Sequence, residues 1–120
     1  MERGASRRAM AGRPTVRILP EQADLMRRGI DCFGKRWTLV LLRDMAFLRV
    51  TRFNQFLRGN PGLTPRVLSR RLREMAEEGL ILREGEGRSV TYRLTARGAD
   101  AVYILLAFLR YGTKYYSIRP

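Results

Sequence analysis

Residues 63–81, LTPRVLSRRLREMAEEGLI, read as a helix whose charge order is inverted. Arg66, Arg70, Arg71 and Arg73 fill its first half, and Glu74, Glu77 and Glu78 its second. A helix macrodipole favours anions near the N-terminus and cations near the C-terminus, so this order points to a partner outside the chain. Thr64 is placed to cap the helix and Pro65 to take its first position, where a missing N–H costs nothing. At about 100° per residue, Leu68, Leu72 and Met75 form one buried stripe. Arg66, Ser69, Arg70 and Arg73 gather on the opposite side, at i, i+3, i+4 and i+7. In helix-turn-helix proteins the first residues of the second helix enter the major groove. An arginine there can grip guanine O6 and N7 with two hydrogen bonds, or hold a phosphate. The rival reading is a solvated face whose arginines pair with acids one turn away, as Arg70–Glu74 and Arg73–Glu77.

The flanking segments choose between these readings. Upstream, RFNQFLRG (52–59) reads as a short helix with Thr51 as its N-cap and Phe53, Phe56 and Leu57 on one side. Asn60-Pro61-Gly62 makes a turn into the arginine helix. Downstream, Gly79 ends that helix, and Leu80-Ile81-Leu82 can pair with residues 90–94. Alternation there puts Val90, Tyr92 and Leu94 on one face. The tip between the strands, EGEGRS (84–89), is glycine-rich and carries Arg88. A short helix, a tight turn, an arginine-faced helix and a hairpin make the winged helix-turn-helix plan. A bundle or a sheet alone explains neither neighbour.

Further out, Pro20 opens a helix in which Met26, Ile30 and Phe33 repeat at helical spacing, and Gly34 breaks it. KRWTLVLLRDMAFL (35–48) is apolar enough to lie at the centre of the core. Thr95 caps a last helix, roughly Ala96 to Tyr111. The expected fold class is mostly α with a small β-hairpin (α+β): a winged helix-turn-helix with added N- and C-terminal dimerisation helices. Residues 1–19 read as a flexible basic arm, 20–112 as the DNA-binding domain with its dimerisation helices, and 113–120 as a tail.

Composition agrees with a nucleic-acid partner. The 120 residues carry 24 cations and 11 acids, a formal charge of +13, and the pI is near 11.4. All the cations but Lys35 and Lys114 are arginine, the residue suited to phosphate and guanine. There is no histidine and one cysteine, Cys32. This removes the usual zinc, haem and iron–sulfur sites, any intrachain disulfide, and the commonest general base. Glu84 and Glu86 lie at a solvated turn with no histidine nearby, and Gly85 and Gly87 lack the strand-to-helix setting and lysine of a phosphate loop. No apolar run approaches the roughly 20 residues that span a bilayer. The expectation is a chain with no enzymatic activity, no cofactor, no metal and no membrane partner, cytoplasmic and associated with the nucleoid. Trp37 reads as core, and Cys32, between Ile30, Phe33 and Trp37, as buried and unreactive.

AVYILLAFL (101–109) contains no charge, so this helix lacks the wet face of a surface helix. A small domain has limited capacity to surround it, and its surplus apolar face points to a second subunit. Ile104, Leu105, Phe108 and Leu109 supply adjacent contacts for that interface.

GKRWTLVLLRDM (34–45), RFNQFLRGNPGLTPRVLSRRLREMAEEGLI (52–81) and VTYRLTARG (90–98) together resemble the HxlR-type family of winged helix transcriptional regulators. The resemblance runs from about Pro20 to Gly112. It implies a homodimeric regulator of double-stranded DNA whose terminal helices form the dimer interface. It further implies recognition-helix positions at Thr64, Pro65, Arg66, Ser69, Arg70 and Arg73, and wing positions at Arg88 and Ser89. Many members carry a cysteine before a proline ahead of the first helix, used to sense reactive chemicals; the matching pair here is Leu19-Pro20. The wing is also short and lacks the prolines often found there. These departures put redox sensing in doubt, and to a lesser degree the wing's DNA contact; a small-molecule effector is possible and unidentified.

The reading is a sequence-specific, homodimeric transcriptional regulator. Its recognition helix, about 65–78, would lie in the major groove and its wing, about 84–89, on the backbone or minor groove. The first alternative is a nonspecific architectural protein that coats DNA with a winged-helix fold, which +13 also suits. An RNA-binding module is the second, but its stacking aromatics are not evident, since most aromatics fall on apolar faces.

Overall fold

A computed structural model of the chain describes residues 16–118. Most of the expected basic arm, residues 1–15, and the last two residues lie outside the described residues. The elements run α1 (Pro20–Phe33), α2 (Thr38–Phe47), α3 (Phe53–Gly59), α4 (Pro65–Glu77), β1 (Ile81–Glu84), β2 (Thr91–Leu94), α5 (Ala96–Asp100) and α6 (Val102–Tyr115), with a short 3-10 turn at Gly87–Ser89. This is the expected mostly helical winged-helix architecture with a two-stranded antiparallel hairpin.

The chain divides between Asp31 and Cys32 into two units. The first holds most of α1, on which Leu25, Met26 and Ile30 are exposed. The second holds the helix-turn-helix and the hairpin. At its centre Leu41 and Leu42 of α2 meet Phe56 of α3 and the stripe Leu68, Leu72 and Met75 of α4. Leu80, Ile81 and Tyr92 bring the hairpin onto the same cluster, with the Phe56 and Tyr92 rings edge to face at 6.3 Å.

Local chemistry sets the ends of α4. Thr64 Oγ1 accepts from the Val67 N–H at 3.2 Å with Pro65 first in the helix, the cap expected from the sequence. At the other end Gly79, at φ 79, lets the Gly79 and Leu80 N–H groups donate back to the Ala76 and Met75 carbonyls at 3.0 and 2.9 Å. This left-handed closure satisfies carbonyls the helix leaves open. The hairpin pairs Ile81 with Leu94 through to Glu84 with Thr91, and the Tyr92 N–H donates to the Thr51 carbonyl at 2.8 Å. The wing is thus tied to the segment just before α3.

Four local expectations differ from what is observed. Thr51 does not cap α3. Gln55 does so instead, its Oε1 accepting from the Thr51 and Arg52 N–H groups at 3.0 Å each. α2 starts at Thr38, because Trp37 adopts φ 82, a left-handed geometry strained for a bulky side chain. The wing tip folds into a 3-10 turn. The last helix is two: Gly98 lets α5 lie against the Leu80 carbonyl, where any Cβ would collide. The chain then turns at buried Ala101 before α6, which runs to Tyr115.

Candidate nucleic-acid interface

α4 orients its arginines by burying its apolar stripe. With Leu68, Leu72 and Met75 in the core, the opposite side of the helix faces solvent, and Arg66, Ser69, Arg70 and Arg73 are all exposed there. Among the described residues no carboxylate pairs with Arg66, Arg70 or Arg73. The rival pairing Arg70–Glu74 does not form, because Glu74 is engaged by Lys35 and Arg71. Arg73 and Glu77 do not pair either. The first turn of α4 carries no acid, so the helix dipole and three guanidiniums without a carboxylate partner among the described residues leave the amino end of α4 electropositive. Thr64 and Pro65 are exposed at that same end, with the Thr64 hydroxyl oxygen already committed to the cap.

The wing brings a fourth arginine with no carboxylate partner among the described residues. Arg88 is exposed within the 3-10 turn. Ser89 is exposed beside it and bonds within its own loop: its Oγ donates to the Glu86 carbonyl at 2.7 Å and accepts from the Glu86 N–H at 3.4 Å. Ser89 therefore shapes the wing, and both it and Arg88 are exposed on it. Gly85, at φ 87, is required there because a Cβ would press on the Ser89 carbonyl. Glu84, read from sequence as a solvated acid, pairs with Arg93 across the hairpin at 2.9 Å.

Two contacts near this surface escaped the sequence. Arg52 Nη1 donates to the Arg88 carbonyl at 3.0 Å, joining the start of α3 to the wing tip over 36 residues of chain. Lys35 reaches Glu74 across 39 residues. Neither separation leaves a periodic signal; only the Arg71–Glu74 spacing of three could have been read.

The remaining sequence candidates lie on α6, where no residue is buried. Ile104, Phe108 and Leu109 are 37%, 58% and 63% exposed, while Leu105 packs partly against the core. An open apolar groove of about 570 Å³ runs beside them, with Phe47 of α2 and Tyr116 among its walls. Cys32 is half-buried. Desolvation pushes its thiol above the usual range, helped by the Glu78 carboxylate and opposed by Arg97, so the reactive thiolate is disfavoured. Among the described residues no group of three metal-ligating side chains comes together, and no helix is long and apolar enough to cross a membrane.

Comparison with known proteins accords with this geometry. The profile of a family described as HxlR-like helix-turn-helix matches residues 32–119. The HTH-type transcriptional regulator Mb3122 of Mycobacterium bovis is 37% identical over 91 residues, 73% of this chain and 56% of that protein. The chain thus spans little more than half the length of this relative. The HTH-type transcriptional regulator YdeP of Bacillus subtilis is 33% identical over 89 residues, 72% of this chain and 69% of its own. Among solved structures, the redox regulator HypR in its oxidised form superposes with a TM-score of 0.68 at 28% identity, covering 78% of this chain and 99% of HypR.

Proposed function

Because the chain belongs to the HxlR-like helix-turn-helix family, we propose that it is a sequence-specific DNA-binding transcriptional regulator acting as a homodimer. One observation carries the reading: Arg66, Arg70 and Arg73 share an exposed face at the amino end of α4 with no carboxylate partner among the described residues. Three guanidiniums held together without acids are costly in self-repulsion and well matched to phosphate and to guanine edges. α4 enters the major groove, Arg66 and Arg70 meet base edges, and Arg88 of the wing meets phosphate or the minor groove.

Two copies pair through α6 and α1. The exposed Phe108 and Leu109 with half-buried Leu105 offer an apolar strip, and a two-fold interface presents the same strip twice. Pairing places two identical recognition helices on one face of the DNA, and linkage of the two half-sites raises affinity beyond either alone. The chain is read as a regulator without catalytic activity, located in the cytoplasm with the nucleoid.

The net charge of +13 also suits a protein that coats DNA without regard to sequence, and competition separates the two. A dimer that reads sequence keeps its operator when excess unrelated DNA is added and sediments as a dimer at micromolar concentration. A coating protein is stripped by the competitor in proportion to its mass.

A further inference from the structure

We propose that Lys35, Arg71 and Glu74 are positioning residues that set how α4 is presented to DNA, an inference that rests on the DNA-reading role proposed above. Arg71 is the one arginine of α4 that does not join the exposed face. Its side chain is 16% exposed. Its Nε donates to the Arg36 carbonyl at 2.8 Å, and its Nη1 pairs with Glu74 Oε1 at 2.9 Å. The other carboxylate oxygen, Oε2, accepts from Lys35 Nζ at 3.0 Å. The Arg71–Arg36 and Lys35–Glu74 contacts clasp one turn of α4 to the 35–37 segment that leads into α2, and the Arg71–Glu74 pair within α4 joins them.

That segment is itself anchored. Trp37 packs against the core with the Arg36 guanidinium 5.1 Å from the centre of its ring, a cation–π distance. Leu68, Leu72 and Met75 fix how deeply α4 sits and which side of it faces solvent, while directional contacts on its flank set the finer rotation that non-directional hydrophobic contact leaves open. The directional contacts on its flank are those of Arg71 and Glu74. Rotation matters at this helix because a two-bond grip on guanine requires both guanidinium nitrogens in one plane with the base. The Glu74 carboxyl is held below its usual range, chiefly by the hydrogen bond from Lys35 and further by Arg71, so Glu74 meets both partners as a carboxylate at neutral pH.

The sign of an effect on DNA binding separates positioning from decoration. A carboxylate among DNA-facing arginines opposes phosphate, so removing a merely solvated Glu74 strengthens binding to every sequence. Loss of a positioning Glu74 weakens the specific site while leaving general attraction intact or raised. For Arg71 the salt dependence is the discriminator, since a phosphate contact contributes to it and a clasp does not.

Glu74→Gln and Arg71→Ala are therefore compared with wild type on a DNA selected from random sequence and on its scrambled counterpart, over a salt series. Amide exchange of the free protein is followed in parallel. Both variants are expected to bind the selected DNA about tenfold more weakly, with Glu74→Gln no weaker on scrambled DNA and Arg71→Ala unchanged in salt slope. Exchange should quicken at 35–37 and along α4 but not in the wing. Equal strengthening on both DNAs by Glu74→Gln, or a slope reduced by about 0.9 in Arg71→Ala, overturns the proposal. Glu74→Gln preserves side-chain volume and decides the matter if Arg71→Ala does not fold. If wild type prefers no sequence, the DNA-reading role fails, and the clasp is judged by exchange alone: unaltered rates at 35–37 and α4 overturn it.

Discussion

Asn60 Nδ2 donates to Asp44 Oδ2 at 2.7 Å, joining the central helix α2 to the turn that launches α4. Both residues are buried, Asp44 at 3% exposure. The same amide nitrogen donates to the Phe56 carbonyl at 2.8 Å, and Asp44 Oδ1 takes the Arg43 guanidinium at 2.7 Å. A carboxylate in the core is tolerated because its oxygens are partnered. The pair fixes where α3 ends, and hence where α4 begins.

Asn60→Ala is expected to lower stability by about 1–3 kcal/mol, the range for leaving a buried polar group without its partner. Chemical denaturation at neutral pH measures this. A change within a few tenths of a kcal/mol would mean that water replaces the amide and that the turn is held by other contacts.

Arg66→Ala and Arg70→Ala should each weaken binding to the specific DNA by about 1–3 kcal/mol and relax its base preference. Titration of selected and scrambled DNA at one salt concentration reads both effects. Equal loss on the two DNAs would reassign these arginines from base edges to phosphate.

Arg88→Ala should cost affinity nearly uniformly across sequences and reduce the salt slope of log K by about 0.9, as one lost phosphate contact does. Its carbonyl is held by Arg52, so the wing tip keeps its place when the side chain is removed. An unchanged slope and affinity take the wing out of the interface.

Cys32 should react slowly with thiol reagents near neutral pH. Burial and the Glu78 carboxylate raise its pKa from an ordinary 9.0, so the thiolate fraction at any pH is smaller than in an unfolded chain. Labelling should quicken only as the pH rises beyond that ordinary value, or on denaturation. Rapid labelling of the folded protein, or DNA binding that peroxide abolishes and Cys32→Ser protects, would restore redox sensing.

The parts of the fold that were legible in the sequence rest on local rules. The α4 stripe, the Thr64 cap with Pro65, the Gly79 closure and the alternation around Tyr92 each follow from residues within a few positions of one another. The exposed arginine face followed from the same periodicity. What stayed hidden depends on distant partners or backbone exceptions. Trp37 delays α2 through a left-handed φ that no propensity assigns to tryptophan. Thr51 loses its capping role to Gln55 and gives its carbonyl to Tyr92, 41 residues on. Glu74 chooses Lys35 and Arg71 over the Arg70 that simple spacing offers. The bonds by which exposed Ser89 closes its own turn with Glu86 depend on backbone geometry that composition does not reveal.

Selection of bound fragments from random duplex DNA by the full chain tests the central claim most directly. A dimer with two α4 helices set for adjacent major grooves should enrich a pseudo-palindrome, its half-sites about 10 base pairs apart centre to centre or a multiple of that. Guanines should recur within each half-site, and their enrichment should fade with Arg66→Ala or Arg70→Ala. A bound pool that remains as varied as the starting one would contradict sequence reading by this face.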